Sequence, residues 1–159
     1  MGSGIEDNAT MNFNPVYRSQ LHYHFEMPRI GALLSLSREH HTSLVVARNA
    51  RRAANTGDPA VLSAAIKDIE RHWATLLVRH FEVEERLLET VGSAFDAEVA
   101  ARIRAEHEEL RRLASNTCEL IPIDRLRRFG ELLGSHVRYE ERTAFPQLQS
   151  HSCIINADV

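Results

Sequence analysis

The feature that most constrains this chain is a histidine in the apolar stripe of each of four helical segments. Apolar residues recur at steps of three and four through four stretches, about 28–55, 60–90, 96–117 and 123–148. This spacing is the period of an amphipathic α-helix. One histidine lies within each stripe: His40, His80, His107 and His136. The pattern predicts that four histidines face one interior.

Three short breaks separate the helical segments. They are Thr56-Gly57-Asp58-Pro59, Val91-Gly92-Ser93 followed by Asp96, and Ile121-Pro122-Ile123-Asp124. Each contains a residue that starts or caps a helix. Because short connections between long helices favour antiparallel neighbours, we expect an all-α fold of the up-down-up-down four-helix bundle type. The bundle is predicted over residues 28–150, with a flexible N-terminal leader and arm over 1–27 and a C-terminal tail over 151–159.

Composition narrows the class of protein. With 159 residues, 43% of them hydrophobic and 26% charged, the chain is long enough for one domain with a sizeable core. The net charge of −3 predicts neither a nucleic-acid nor a membrane partner, and no apolar run approaches the ~20 residues of a membrane-spanning helix. The two cysteines, Cys118 and Cys153, form no CxxC motif. This suits a reducing compartment, so a soluble, cytoplasmic protein is expected.

Two of the inward histidines are followed four residues later by a glutamate. His80 pairs with Glu84, and His136 pairs with Glu140. A spacing of four places both side chains on one helix face, about 40° apart around the axis. Buried carboxylates are costly unless they are paired or coordinated, so two of them inside one bundle indicate a cation.

The positions of these residues along the helices provide a second test. His80 lies about ten residues before the end of its segment, and His107 lies about eleven after the start of the next, so both sit at one depth of an antiparallel pair. By the same count, His107 and His136 lie at one depth, whereas the depth of His40 agrees less well with that of His80. The predicted ligand set is therefore His40, His80, Glu84, His107, His136 and Glu140. Nitrogen and carboxylate donors without thiolate suit iron, manganese or zinc, and six ligands fit two metal ions better than one tetrahedral zinc.

The segments that carry these residues resemble the hemerythrin-like (HHE cation-binding) family. The matching stretches are LSREH at 36–40, HFEVEE at 80–85, AEHEEL at 105–110 and HVRYEERTAFP at 136–146. The resemblance implies a four-helix bundle with an oxo- or hydroxo-bridged centre of two Fe ions held by the six residues named above.

Two departures from the oxygen-carrying hemerythrins bear on function. Arg111 stands where their third helix has a second histidine. Glu141 stands where their last helix has an aspartate ligand. In this chain Glu140 is preferred as the ligand because it stays on the inward face. The missing histidine favours sensing or reactivity over oxygen carriage. We expect a di-iron protein that binds or senses oxygen or a related diatomic ligand or peroxide. The alternatives are an enzyme of nitric-oxide or peroxide detoxification or iron–sulfur cluster repair, which needs an electron-donor protein, and a metal-free structural bundle.

Several other residues near the predicted site stay open. His41 adjoins His40, but it lies about 100° away around the helix, so His40 is preferred as the ligand of the first segment. His72 precedes His80 by two turns and either flanks the site or lies on the helix surface, and the surface position is preferred. Tyr139 either bonds a bound ligand or packs. Three residues before the first segment, His22, Tyr23 and His24, are assigned to the N-terminal arm.

Overall fold

The computed structural model describes residues 29–155, which form helices joined by short loops without a β-strand. The predicted all-α class is confirmed. The predicted leader and arm, with His22, Tyr23 and His24, lie outside the described residues. Within the described part, no helix combines the length and the apolar character that crossing a bilayer requires.

Four long helices and one short one follow each other along the chain. Their bounds are Gly31–Ala54 (α1), Pro59–His72 continued by Trp73–Leu77 and Val78–Val91 (α2), Ala97–Ala114 (α3), Pro122–Tyr139 continued by Glu140–Ala144 and Phe145–Gln149 (α4), and Ser152–Ile155 (α5). These bounds agree with the predicted segments to within a few residues. The Trp73–Leu77 and Glu140–Ala144 stretches are single π-helical turns, which the sequence analysis did not predict.

The helix starts follow the expected chemistry at two of the three breaks. The Asp58 carboxylate accepts hydrogen bonds from the amides of Ala60 and Val61, at 2.8 and 3.1 Å. Asp96 caps α3 in the same way through Glu98 and Val99, at 2.9 and 3.2 Å. These caps satisfy amides that have no partner within the helix.

The third helix start differs from the expected one. Helix α4 begins at Pro122 with Ile121 as its N-cap and no side-chain cap, so Asp124 lies in the first turn instead of capping it. Proline suits the first helical position because its missing N–H would have no intrahelical acceptor there.

Helices α1 and α4 run in opposite directions, as two contacts between them show. Along α1 and α4, Arg29 pairs with Glu141 at 3.2 Å, whereas a Cβ on Gly130 would lie 2.5 Å from the carbonyl oxygen of Ala47. Residue numbers therefore rise on one helix as they fall on the other. Gly130 has no side chain, so it lets the two backbones come this close.

The buried apolar side chains form two clusters. One contains the end of α1, the start of α2, the end of α3 and the start of α4, including Leu77, Leu110 and Phe129. The other contains the opposite helix ends, including Leu36 and Phe145, and α5 adds Ile154 to it. Buried polar residues lie at the level between the two clusters, so the apolar core covers this layer from both ends.

Candidate metal centre

The six predicted ligand residues lie together in the polar layer between the two apolar clusters. None of them is more than 2% exposed: His40, His80, Glu84, His107, His136 and Glu140. Each of the four long helices contributes one histidine, and α2 and α4 each contribute one glutamate as well. The His80 Nε2 and Glu84 Oε1 atoms are 3.0 Å apart, and His136 Nε2 and Glu140 Oε1 are 3.2 Å apart. The spacing of four residues therefore places each pair on one face, as helix geometry requires.

The six residues form two groups of potential metal ligands. One group joins His40 and His80 to Glu84 and Glu140, and the other joins His107 and His136 to the same two glutamates. Within each group, one donor atom from every residue lies within 4.8 Å of the others. The two groups share both carboxylates, so each glutamate has oxygens beside both pairs of histidines.

A second set of four glutamates surrounds the centre and bonds the outward nitrogen of each histidine. The Nδ1-to-carboxylate distances are 2.7 Å for His40–Glu141, 2.7 Å for His80–Glu39, 2.9 Å for His107–Glu85 and 2.8 Å for His136–Glu106. We call these four residues the outer carboxylates. Each one accepts from Nδ1, so it turns Nε2 of the same ring towards the centre. Metal-binding histidines in proteins are commonly held in this way.

The outer carboxylates connect the helices in a closed ring. Glu39 of α1 accepts from His80 of α2, and Glu85 of α2 accepts from His107 of α3. Glu106 of α3 accepts from His136 of α4, and Glu141 of α4 accepts from His40 of α1, which closes the ring. Every helix thus fixes the ring orientation of a histidine on its neighbour.

Two phenylalanines cover opposite sides of the centre. Phe81 stacks on His107 with ring centroids 3.8 Å apart and an interplanar angle of 8°. Phe145 stacks on His40 at 5.1 Å and 17°. Both phenylalanines are 1% exposed. They fix the imidazole planes and exclude water from the donor atoms.

Without a metal, the centre is a cluster of mutually stabilised charges. Burial alone would lower the histidine pKa values, but the surrounding carboxylates outweigh it. They raise the pKa of His40 to about 11, that of His136 to about 10 and that of His80 to about 9.

The two central carboxylates shift the other way. Burial would raise the pKa of Glu84, yet the charge of His80 and its other imidazole neighbours hold that pKa well below its usual range. For Glu140, burial and the charge of Glu84 raise the pKa, and His136 and His107 outweigh both effects. Protonated imidazoles therefore balance the ionised glutamates, and a bound cation would replace those protons.

The donor atoms fit a metal ion better than they fit one another. Several buried side-chain atoms in the centre have no hydrogen-bond partner, although they lie within 4 Å of opposite charges: His40 Nε2, His107 Nε2, His136 Nε2, Glu84 Oε1 and Oε2, and Glu140 Oε2. Unsatisfied buried polar atoms are rare in folded proteins, so a cluster of them indicates a site for an ion. Imidazole nitrogens and carboxylate oxygens together are the donors that iron, manganese and zinc accept. The residues present therefore fit a pair of such ions.

The outer carboxylates are the part of the site that the sequence analysis missed. Each one directly precedes or follows a central residue in the chain: Glu39 precedes His40, Glu85 follows Glu84, Glu106 precedes His107, and Glu141 follows Glu140. One residue corresponds to about 100° of rotation around a helix, which moves a side chain from the interior to the boundary with the neighbouring helix. A repeated acidic residue beside each inward residue was the available signal.

The residues left open by the sequence occupy distinct places. His41 is exposed, whereas His40 lies in the centre. Tyr139 is half-buried beneath the guanidinium of Arg102, whose Cζ lies 3.7 Å from the ring centroid. Arg111 points to Glu85, with a nitrogen-to-oxygen distance of 2.7 Å.

The expected surface position of His72 is wrong. His72 is only 7% exposed, and its Nε2 lies 3.1 Å from the Ser43 hydroxyl. In a regular α-helix, side chains eight residues apart differ by about 80° around the axis. The π turn at Trp73–Leu77 takes up an additional residue, which reduces that difference to about 20° and puts His72 on the inward face with His80. Burial lowers the pKa of His72 to about 4, and the nearby charge of His80 adds to this effect.

The fold and this centre together define a class: helical proteins with a buried histidine–glutamate site suited to metal cations. The chain belongs to the hemerythrin family, because the family model of the hemerythrin HHE cation binding domain matches residues 33–148. The match spans all six central residues and the four outer carboxylates, and it confirms the resemblance inferred from the sequence. Comparisons with curated proteins and with solved structures gave no match.

Proposed function

We propose that the chain is a non-haem di-iron protein that binds or senses oxygen or a related small ligand, nitric oxide or peroxide. The observation that carries this proposal is that both groups of potential ligands share Glu84 and Glu140. Two carboxylates shared between two pairs of histidines suit two neighbouring cations better than one. His40 and His80 would hold one iron and His107 and His136 the other, with Glu84 and Glu140 available to both.

Two iron ions held in this way would supply redox chemistry towards dioxygen, nitric oxide or peroxide. The residues of the chain supply the other requirements. The outer carboxylates accept the Nδ1 protons, so that Nε2 of each ring presents its lone pair to the centre. Phe81, Phe145 and the two apolar clusters keep bulk water out, so that small ligands are admitted in preference to larger polar ones. Two histidines and the two shared glutamates would hold each iron, and the iron would supply the binding position for an exogenous ligand.

The bundle topology and the domain division are part of the same proposal. The reversals of direction between α1 and α4, and the short loops after α2 and α3, support an up-down-up-down four-helix bundle over residues 28–150. In this arrangement, all four histidines come to one depth, as the centre requires.

An enzymatic role in nitric-oxide or peroxide detoxification, or in iron–sulfur cluster repair, is the second candidate. The observation that favours it is Arg111, which bonds Glu85 where oxygen carriers have an additional histidine. An enzyme would need an electron-donor protein, so it predicts repeated turnover when a reductant is supplied. A binding protein or sensor predicts one ligand-binding event per centre.

The first experiment is metal analysis of tag-free protein by plasma emission, combined with an aerobic ultraviolet–visible spectrum. We expect about two irons per chain and ligand-to-iron charge-transfer bands. Protein that contains no metal, even after anaerobic reconstitution with ferrous iron, would overturn the proposal and leave a structural helical bundle.

A further inference from the structure

The four outer carboxylates are not held equally. Three of them are bound by an arginine, with nitrogen-to-oxygen distances of 3.2 Å for Arg29–Glu141, 2.7 Å for Arg111–Glu85 and 2.8 Å for Arg102–Glu106. Glu39 has no arginine partner among residues 29–155. Its side chain is also the most exposed of the four, at 37% against 15% for Glu106. An arginine restricts the rotamers of the carboxylate it binds, so Glu39 is the outer carboxylate that moves most freely.

This difference falls on one side of the centre. Behind His107 and His136, both outer carboxylates, Glu85 and Glu106, are bound by arginine. Behind His40 and His80, only Glu141 is bound. If Glu39 moved away, the ring of His80 would lose the hydrogen bond at Nδ1 and keep the contact of its Nε2 with Glu84 at 3.0 Å, so its orientation would be held less firmly.

The groove between α1 and α2, where Glu39 meets His80, is also open to solvent further along. A cavity of about 220 Å³ lies in it, lined by residues that include Asp68 and Thr75, with the buried His72 at its floor. His72 contacts Ser43 at 3.1 Å, and the Ser43 hydroxyl donates to the carbonyl oxygen of Glu39 at 3.2 Å. Two hydrogen bonds, His72–Ser43 and Ser43–Glu39, therefore connect the floor of the cavity to the backbone of Glu39.

We propose that the cation held by His40 and His80 exchanges faster than the cation held by His107 and His136, because Glu39 is the outer carboxylate that no arginine of residues 29–155 binds. Glu39 is thus a positioning residue that sets the lability of one metal position. The inference rests on the proposed two-metal function, and it makes the two positions unequal although each has the same central ligands.

The test uses Co²⁺, whose visible absorption reports its coordination. Protein loaded with two Co²⁺ per chain is mixed with excess chelator, and the loss of absorption is followed in time. We expect two phases of equal amplitude, with rates about two- to fivefold apart, which corresponds to the strength of one exposed arginine–carboxylate pair. Glu39→Ala should accelerate the fast phase by about tenfold or more and leave the slow phase unchanged. Glu39→Gln should accelerate the fast phase less than Glu39→Ala does, because the amide oxygen of glutamine still accepts a hydrogen bond from His80 Nδ1.

Two reciprocal variants separate positioning from general destabilisation. Arg102 precedes Glu106 by four residues, and the exposed Ser35 precedes Glu39 by the same spacing. Ser35→Arg should therefore supply the missing arginine and slow the fast phase about twofold, whereas Arg102→Gln should accelerate the slow phase by about the same factor. Ser63→Arg, at an exposed serine on α2 outside the centre, controls for the added charge and should change neither rate.

The possible outcomes are distinguishable. A single release phase in the unmodified protein overturns the inference, and so does an equal effect of Glu39→Ala on both phases. A failure of Ser35→Arg to slow release also overturns it. Failure of the proposed function has another signature: the protein then binds no Co²⁺, and both proposals fall.

Discussion

The contact between α1 and α4 at Gly130 leads to a prediction about stability. A Cβ at this position would lie 2.5 Å from the carbonyl oxygen of Ala47 and 2.7 Å from Cγ of Arg51. The first of these atoms belongs to the backbone of a long helix, so it cannot move without displacing α1. Gly134, one turn later on α4, differs: its nearest neighbour would be the Arg138 guanidinium at 3.4 Å, the end of a flexible side chain.

The magnitudes follow from two opposing effects. Replacing a helical glycine by alanine stabilises a helix by about 0.5–1 kcal/mol. Forcing one additional carbon into a filled contact costs about 1–3 kcal/mol. We therefore expect Gly134→Ala to raise the free energy of unfolding by about 0.5–1 kcal/mol and Gly130→Ala to lower it by about 1–2 kcal/mol. For a chain of this size, each kcal/mol shifts the melting temperature by about 2–4 °C.

Urea denaturation followed by circular dichroism measures both variants against the unmodified protein. Displacing α1 also moves His40, so Gly130→Ala should weaken metal binding while Gly134→Ala leaves it unchanged. Equal stabilisation by the two substitutions would refute the close approach of α1 and α4, and with it our account of how His40 reaches the centre.

Three further predictions concern the centre and the end of α3. Glu84→Gln removes a shared carboxylate and should lower the metal content, measured by plasma emission, from two ions to one or none. Glu82→Gln, on the exposed face of the same helix, should retain both ions. In metal-free protein, the raised histidine pKa values mean that the charge cluster stabilises fully below pH 6.5 and loses this effect as pH rises through about 9 to 11. The melting temperature of metal-free protein, measured by scanning calorimetry, should fall between pH 7 and pH 10. The melting temperature of metal-loaded protein should change little over the same range. A constant melting temperature in the metal-free protein would contradict the presence of the charged cluster. Arg125→Ala should lower the free energy of unfolding by about 2–3 kcal/mol, because the buried guanidinium donates to the Leu113 and Ser115 carbonyl oxygens at 2.7 and 3.0 Å. Arg127 is exposed, so Arg127→Ala should lower the free energy of unfolding by less than about 0.5 kcal/mol.

Much of the fold could be predicted from local pattern. The helical period placed the ends of the four long helices to within a few residues. Pro59 opens its helix and Asp96 caps the next, as their positions indicated. The N-cap of α4 is Ile121 and not the expected Asp124, because Pro122 and Asp124 are both compatible with a helix start and the sequence alone does not rank them. The burial of His72 was missed because a π turn is not visible in the helical period.

The sequence by itself determined the inward position of the six central residues. A spacing of four residues fixes His80 with Glu84 and His136 with Glu140 on common faces, and this relation depends on nothing beyond one helix. Only the tertiary structure decided that Glu39, Glu85, Glu106 and Glu141 each bond the histidine of a neighbouring helix. That pairing depends on the order, rotation and depth of the helices. It also decided that both central carboxylates are shared between the two pairs of histidines and that, within the described part of the chain, no arginine binds Glu39. The contacts between the outer carboxylates and the histidines join residues from 22 to 101 positions apart. Periodicity carries no information about them because each helix can rotate and slide independently until packing fixes it.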